Sequence, residues 1–169
     1  MADSVDLLVR DLSSRDGLVR QRARESLVVI GRPAVPPLIE ALRARGRWTR
    51  WEAAKALAEI GDPRAAAALV AALEDRGPGV RWLAAVGLIT LREKGVPPLL
   101  RALMRRSSSV WLREGAHHVL RALTKGDLDG QLIPVVDALE GVQPAIETPH
   151  AALAALEVME MKPVSEWQQ

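Results

Sequence analysis

One short phrase recurs along the chain, and its spacing constrains the fold more than any single residue does. VRQRARESLVVIG starts at Val19 and TRWEAAKALAEIG at Thr49; VRWLAAVGLITLR starts at Val80, LREGAHHVLRAL at Leu112 and the fainter TPHAALAALEVM at Thr148. The starts lie 30, 31, 32 and 36 residues apart. A period of this size marks a stacked solenoid, because one supersecondary unit cannot bury its apolar face alone and shares it with the next.

Inside the first copy, Val19, Ala23, Leu27 and Ile30 follow at spacings of four, four and three, which puts them on one helical face. The same places hold Thr49, Ala53, Leu57 and Ile60; Val80, Ala84, Leu88 and Leu91; Leu112, Ala116, Leu120 and Leu123; and Thr148, Ala152, Leu156 and Met159. An alanine recurring in one place points to helices pressed close together. Each of the first four helices, here called A-type, is expected to end at a breaker: Gly31-Arg32-Pro33, Gly61-Asp62-Pro63, Lys94-Gly95 and Lys125-Gly126. A B-type helix follows, with ladders Leu38/Leu42, Leu69/Leu73, Leu99/Leu103 and Val135/Leu139. Pro36-Pro37 and Pro97-Pro98 suit the first turn of a B-type helix, where a missing N–H costs little. Leu8 and Leu12 match the B pattern, so the chain is expected to begin with an unpaired B-type helix and to end with an unpaired A-type helix near Met161. This reading gives about ten helices in one domain over residues 1–162, with a short tail at 163–169.

Composition narrows the chemistry. There is no cysteine, Phe or Tyr, and the aromatics are five Trp. The absence of cysteine excludes disulfides, thiolate zinc sites and a cysteine nucleophile. No long uncharged apolar run suggests a membrane span or a signal segment, so a cytoplasmic protein is expected. Residues 1–126 hold 22 Lys and Arg against 13 Asp and Glu, whereas residues 127–169 hold 1 against 8. This asymmetry suits steering of an acidic partner to the basic part, or head-to-tail self-association.

The VR-xx-A-xxx-L-xx-IG phrase and the P-xx-L-xxx-L phrase after it resemble the HEAT-repeat proteins, in particular the short bacterial type related to phycobilisome lyase subunits. The resemblance runs from about Val5 to Met161. It implies an all-α, right-handed α-α superhelix of stacked antiparallel helix pairs that serves as a cofactor-free binding scaffold. It also bears on Arg20, Arg50, Arg81 and Arg113, which hold the second place of four A-type helices, with Pro149 in the fifth. A cation there opposes the helix dipole by some tenths of a kcal/mol, so it needs a compensating partner. In the family that partner is a loop acid or carbonyl; Asp16 and Asp75 precede their helices suitably, and the second and fourth repeats offer no matching acid.

Two surfaces stand out. Helical geometry turns Gln21, Trp51 and Trp82 away from the core, and Val86 and Ile89 continue the stripe from Trp82, so Trp51, Trp82, Val86 and Ile89 are candidate contacts for a partner or a second copy. The alternative is a rotated helix whose Trp rings pack between repeats. On the first A-type helix Gln21, Arg24, Glu25 and Val28 are expected to face outward. The B-type helices should present Arg10, Glu40, Ala71, Arg101 and Asp137, a mixed face that suits an extended peptide better than a nucleic-acid backbone. The basic cluster Arg43, Arg45, Arg47 and Arg50 with Trp48, and Arg105 and Arg106 before Trp111, gives a nucleic-acid alternative through phosphate contacts and base stacking.

Catalytic patterns are missing. His117 and His118 are adjacent and point about 100° apart, so they do not chelate one ion. No nucleophile elbow, phosphate loop or dinucleotide fingerprint occurs. Gly77-Pro78-Gly79 reads as a turn, Ser107-Ser108-Ser109 as a polar loop and helix cap, and Asp127, Asp129 and Asp137 as loop and helix-start carboxylates. No metal, cofactor or enzymatic activity is expected. The leading reading is a protein–protein interaction scaffold, with nucleic-acid binding and an accessory subunit of a modifying enzyme as alternatives.

Overall fold

A computed structural model describes residues 2–124 and 129–161, and among these it shows ten α-helices and no strand. They are α1 (Ala2–Asp11), α2 (Gly17–Ile30), α3 (Val35–Ala41), α4 (Arg47–Ile60), α5 (Ala66–Ala72), α6 (Pro78–Leu91), α7 (Val96–Arg106), α8 (Val110–Leu123), α9 (Asp129–Glu140) and α10 (Pro144–Met161). None is long and apolar enough to cross a membrane. The expected breaker Lys125-Gly126, Asp127 and the tail 163–169 lie outside the described residues. The chain divides into two compact units, Met1–Leu91 and Arg92–Gln169.

In the first unit, the A-to-B step is a corner. Gly31 (φ 71°) and Gly61 (φ 64°) end α2 and α4 in the left-handed region, and 3-10 turns at Arg32–Ala34 and Pro63–Ala65 start the B-type helices. The third corner differs from expectation. Arg92 (φ 52°) stands where the earlier repeats have glycine, and Lys94-Gly95 lies inside the 3-10 turn that follows. The B-to-A step is a short loop, and it joins the helices that pack as hairpins: α1 on α2, α3 on α4 and α5 on α6. This corrects the expectation of an unpaired first helix. Helices α2, α4 and α6 stack in one layer, with α4 against both neighbours.

The seam is built from small residues backed by leucine. Ala53, Ala54 and Ala56 of α4 are fully buried, and Leu12, Leu27, Leu38, Leu57, Leu69, Leu73 and Leu88 are sealed from solvent. Each such leucine is worth about 2 kcal/mol over its exposed state. Gly87 marks the tightest approach: a Cβ there would lie 2.9 Å from Leu69 Cδ1 and 3.4 Å from Ala58 Cα. Only glycine lets α6 sit so near α4 and α5 together.

The second unit is arranged differently. Helix α7 packs on α8, α8 on α9, α9 on α10, and α10 back on α7. The last A-type helix is thus paired, not unpaired as expected, and lies chiefly against α9 and the B-type helix α7. Polar contacts hold the ring: His117 Nε2 of α8 lies 2.7 Å from Glu140 Oε1 at the end of α9, and Arg101 of α7 donates to Glu160 of α10 at 2.7 Å. Ser107 Oγ donates to the carbonyl of Ala145, also at 2.7 Å.

Candidate functional site

The ladder arginines share one geometry. Arg20, Arg50, Arg81 and Arg113 each donate Nη1 to a carbonyl six residues upstream, those of Ser14, Ala44, Asp75 and Ser107. Each cation therefore closes the loop in front of its own helix, which answers the opposing dipole. The acids act otherwise than the sequence suggests. Asp16 accepts from the backbone N–H of Leu18 as the cap of α2. Asp75 takes Arg50 of the preceding repeat, through Oδ2 at 2.7 Å and Oδ1 at 3.1 Å, while its own carbonyl serves Arg81. Burial pushes the Asp75 carboxyl up, but the Arg50 hydrogen bond, the Gly77 N–H and the charges of Arg50 and Arg76 outweigh it and leave the group below its ordinary value.

Two further ion clusters tie α2 and its following turn to α4 and the turn after it. Arg24, expected outward, is buried: Nε donates to Glu52 at 3.0 Å and Nη1 to Glu59 at 2.9 Å. Arg20 Nε lies 3.6 Å from the same Glu52. At the corners, Asp62 accepts from the side chain and backbone N–H of Arg64 and from Arg32 of the preceding repeat. Those bonds, led by the Arg64 side chain, hold its carboxyl well below the carboxylate range against the cost of burial. Arg32 and Asp62 occupy equivalent places one repeat apart, so opposite charges at one register form the link. These groups brace the scaffold.

What the braces leave at the surface is aromatic. Trp48 of α4 is 47% exposed and Trp82 of α6 is 57% exposed, while Trp51, Val86 and Ile89 are half-buried. The Trp48 and Trp51 rings meet edge to face with centroids 6.5 Å apart. The Arg47 guanidinium sits 4.4 Å and that of Arg20 5.1 Å from the Trp48 ring centre, and Lys55 Nζ sits 5.2 Å from that of Trp51. Trp51 leans across to the next repeat. Gly79 holds the Trp48 place in α6, and a Cβ on it would lie 3.1 Å from Trp51 Cδ1. Gly79, Trp82, Val86 and Ile89 share a face of α6 by their spacing. Apolar side chains therefore run from Trp48 through Trp51 to the Gly79 position, on whose face of α6 Trp82, Val86 and Ile89 follow. Trp51 thus leans between repeats, while Trp82 stands out at the surface.

An open cleft of about 520 Å³ adjoins Trp48, lined by Ser13, Ser14, Arg15, Arg20, Arg47 and Trp48 among others. The basic loop residues do not act as one set. Arg50 is buried on Asp75, and Arg43 pairs with Glu40 at 2.8 Å; Arg45 and Arg47 are exposed, as are Arg105 and Arg106 in the second unit. The B-type positions Arg10, Glu40, Ala71, Arg101 and Asp137 are all exposed. Among the described residues no group of three or more His, Cys, Asp or Glu side chains gathers as a metal-ligand set.

Comparison with known proteins places this geometry. No curated protein matches the chain. Among solved structures, an engineered protein from a structural genomics consortium superposes with a TM-score of 0.50 and 21% identity, over 94% of this chain and 80% of its own. A designed armadillo repeat protein gives a TM-score of 0.44 and 18% identity over 92% of this chain and 99% of its own. A second one, in complex with the peptide (KR)4, gives 0.44 and 20% over 97% and 95%. The first likeness concerns the fold alone. The profile of HEAT repeats matches residues 5–89 and 35–121, ending within α8, ahead of the α9–α10 pair that closes back on α7. With well over half its length matched, the chain belongs to the HEAT-repeat family.

Proposed function

We propose that this HEAT-repeat chain is a non-enzymatic protein-binding module whose docking surface is the outer face of α4 and α6. The observation that carries the reading is Trp82, 57% exposed on a helix whose single charged residue, Arg81, is bonded back to its own turn. A large apolar ring on such a helix costs solubility unless something covers it, and tryptophan is the residue most enriched in interface hot spots. Trp48, Trp51, Val86 and Ile89 extend the anchor. Exposed Arg15 and Arg47, with half-buried Lys55, favour a partner that brings carboxylates beside its apolar contact.

The nucleic-acid alternative has less support. Its Arg50 is withdrawn into an ion pair, and the Trp48 face on which a base would stack already holds guanidinium groups. The accessory-subunit alternative is one form of the same protein-binding reading.

The test is capture of binding proteins from native extract with the wild-type chain and with Trp82→Ala. Truncating a hot-spot tryptophan costs about 2 kcal/mol or more, so affinity should fall about thirtyfold and capture at sub-saturating chain should drop with it. Equal capture by both chains refutes the assignment of the surface.

A further inference from the structure

The two units present faces of opposite charge and matching apolar character. We propose that the α4–α6 outer face of one chain takes α10 of a second copy, head to tail. This rests on the reading of that outer face as a docking surface and names the partner it fits.

Helix α10 is built to be covered on two sides. Thr148, Ala152, Ala155 and Leu156 are buried, and the opposite arc exposes Ile146 (62%), Leu153 (41%), Val158 (45%) and Met161 (83%). From Ile146 onward the exposed residues 146, 147, 150, 153, 154, 157, 158, 160 and 161 fall within less than half a turn of arc. The same arc carries Glu147 and Glu157, with Glu160 already paired to Arg101 of α7, and α10 contains no Lys or Arg. It is thus an apolar stripe edged by carboxylates, whereas the α4–α6 face sets Arg47 and Lys55 beside its aromatics and has its exposed carboxylate, Glu59, taken by Arg24.

Charge selects between the ways two copies can meet. Two α4–α6 faces set against each other would oppose Arg15, Arg47 and Lys55 to themselves. Two α10 faces would oppose glutamates. Only α10 on the α4–α6 face brings unlike charges together, with Trp82 against the Ile146–Leu153–Met161 stripe. A contact between different patches is heterologous and does not close at two copies, so association should grow with concentration. It should weaken in high salt, where screening shortens to about 3 Å at 1 M.

The experiment is light scattering over a concentration series at low and high salt, with wild type, Trp82→Glu, Leu153→Arg, and an equimolar mixture of the two variants. Both substitutions fall on exposed side chains, and circular dichroism checks that each variant is helical. Wild type should gain mass with concentration and lose that gain in salt; each variant alone should stay monomeric. The mixture should form a one-to-one dimer, because Trp82→Glu keeps its α10 and Leu153→Arg keeps its aromatic face. The proposal is overturned if either variant still associates alone, if the mixture stays monomeric, or if wild type is monomeric throughout. A monomeric wild type that still captures a foreign protein through Trp82 sinks this inference and leaves the docking surface standing.

Discussion

Asp75→Ala tests how the repeats are held together. The Asp75 carboxylate is 11% exposed and bonds Arg50, itself 5% exposed, at 2.7 and 3.1 Å; it also accepts the N–H of Gly77 at 2.7 Å. Removing one member of a buried pair costs about 3–5 kcal/mol, because the other charge is left desolvated. Here Arg50 keeps the carbonyls of Ala44 and Arg45, which puts the loss near the lower bound of about 3 kcal/mol. The orphaned Gly77 N–H adds up to about 1 kcal/mol. A total of about 3–4 kcal/mol at a urea slope of about 2 kcal/mol/M moves the unfolding midpoint down by about 1.5–2 M. The control is Glu40→Ala, which breaks the exposed Arg43–Glu40 pair and should cost under about 1 kcal/mol. The Asp75 carboxyl is more acidic folded than unfolded. Its stabilisation is therefore complete above the unfolded value of about 3.9 and is lost as pH falls through the folded one. Wild type should lose this contribution below about pH 4 and Asp75→Ala should not. An Asp75→Ala loss no larger than that of Glu40→Ala would refute the idea that this cross-repeat pair carries stability.

Three further outcomes follow from backbone and packing. Gly87→Val should cost about 2–3 kcal/mol by chemical denaturation, since the new side chain has only Leu69 and the α4 backbone to displace. Arg92→Gly should stabilise by about 0.5–1 kcal/mol, because it relieves a left-handed residue that carries a Cβ. Gly79→Leu should evict the Trp51 ring and shift tryptophan emission to longer wavelength while leaving helix content unchanged.

Local periodicity was the legible part of this fold. Ala23, Ala53, Ala84, Ala116 and Ala152 recur in one place, and all five are buried, because a helical face depends only on residues within a few turns. Pairing was harder to read. Whether α3 packs on α2 or on α4 depends on the corner geometry after Gly31, and the repeated phrase looks the same either way. Arg24 reads as a surface residue until Glu52 and Glu59 are known to close on it from α4. Arg50 has no acid in its own loop because its partner, Asp75, lies a repeat away. The reach of the ladder arginines to a carbonyl six residues upstream is a constant spacing, but carbonyls leave no mark in a sequence. The position of α10 could not be read from its phrase, which differs from the others mainly in losing the ladder arginine to Pro149. On the candidate surface, helical angles set Trp82 outward from sequence alone. The seat of Trp51 was legible only by aligning Trp48 with Gly79, where a missing side chain makes the room.

The most direct measurement of the docking surface is oxidative footprinting of the tryptophans in the free chain and in the complex it forms. Trp82 and Trp48 should be protected on complex formation, while Trp111, 46% exposed on α8, keeps its free rate. Unchanged oxidation of Trp82 in a fully formed complex would contradict the account.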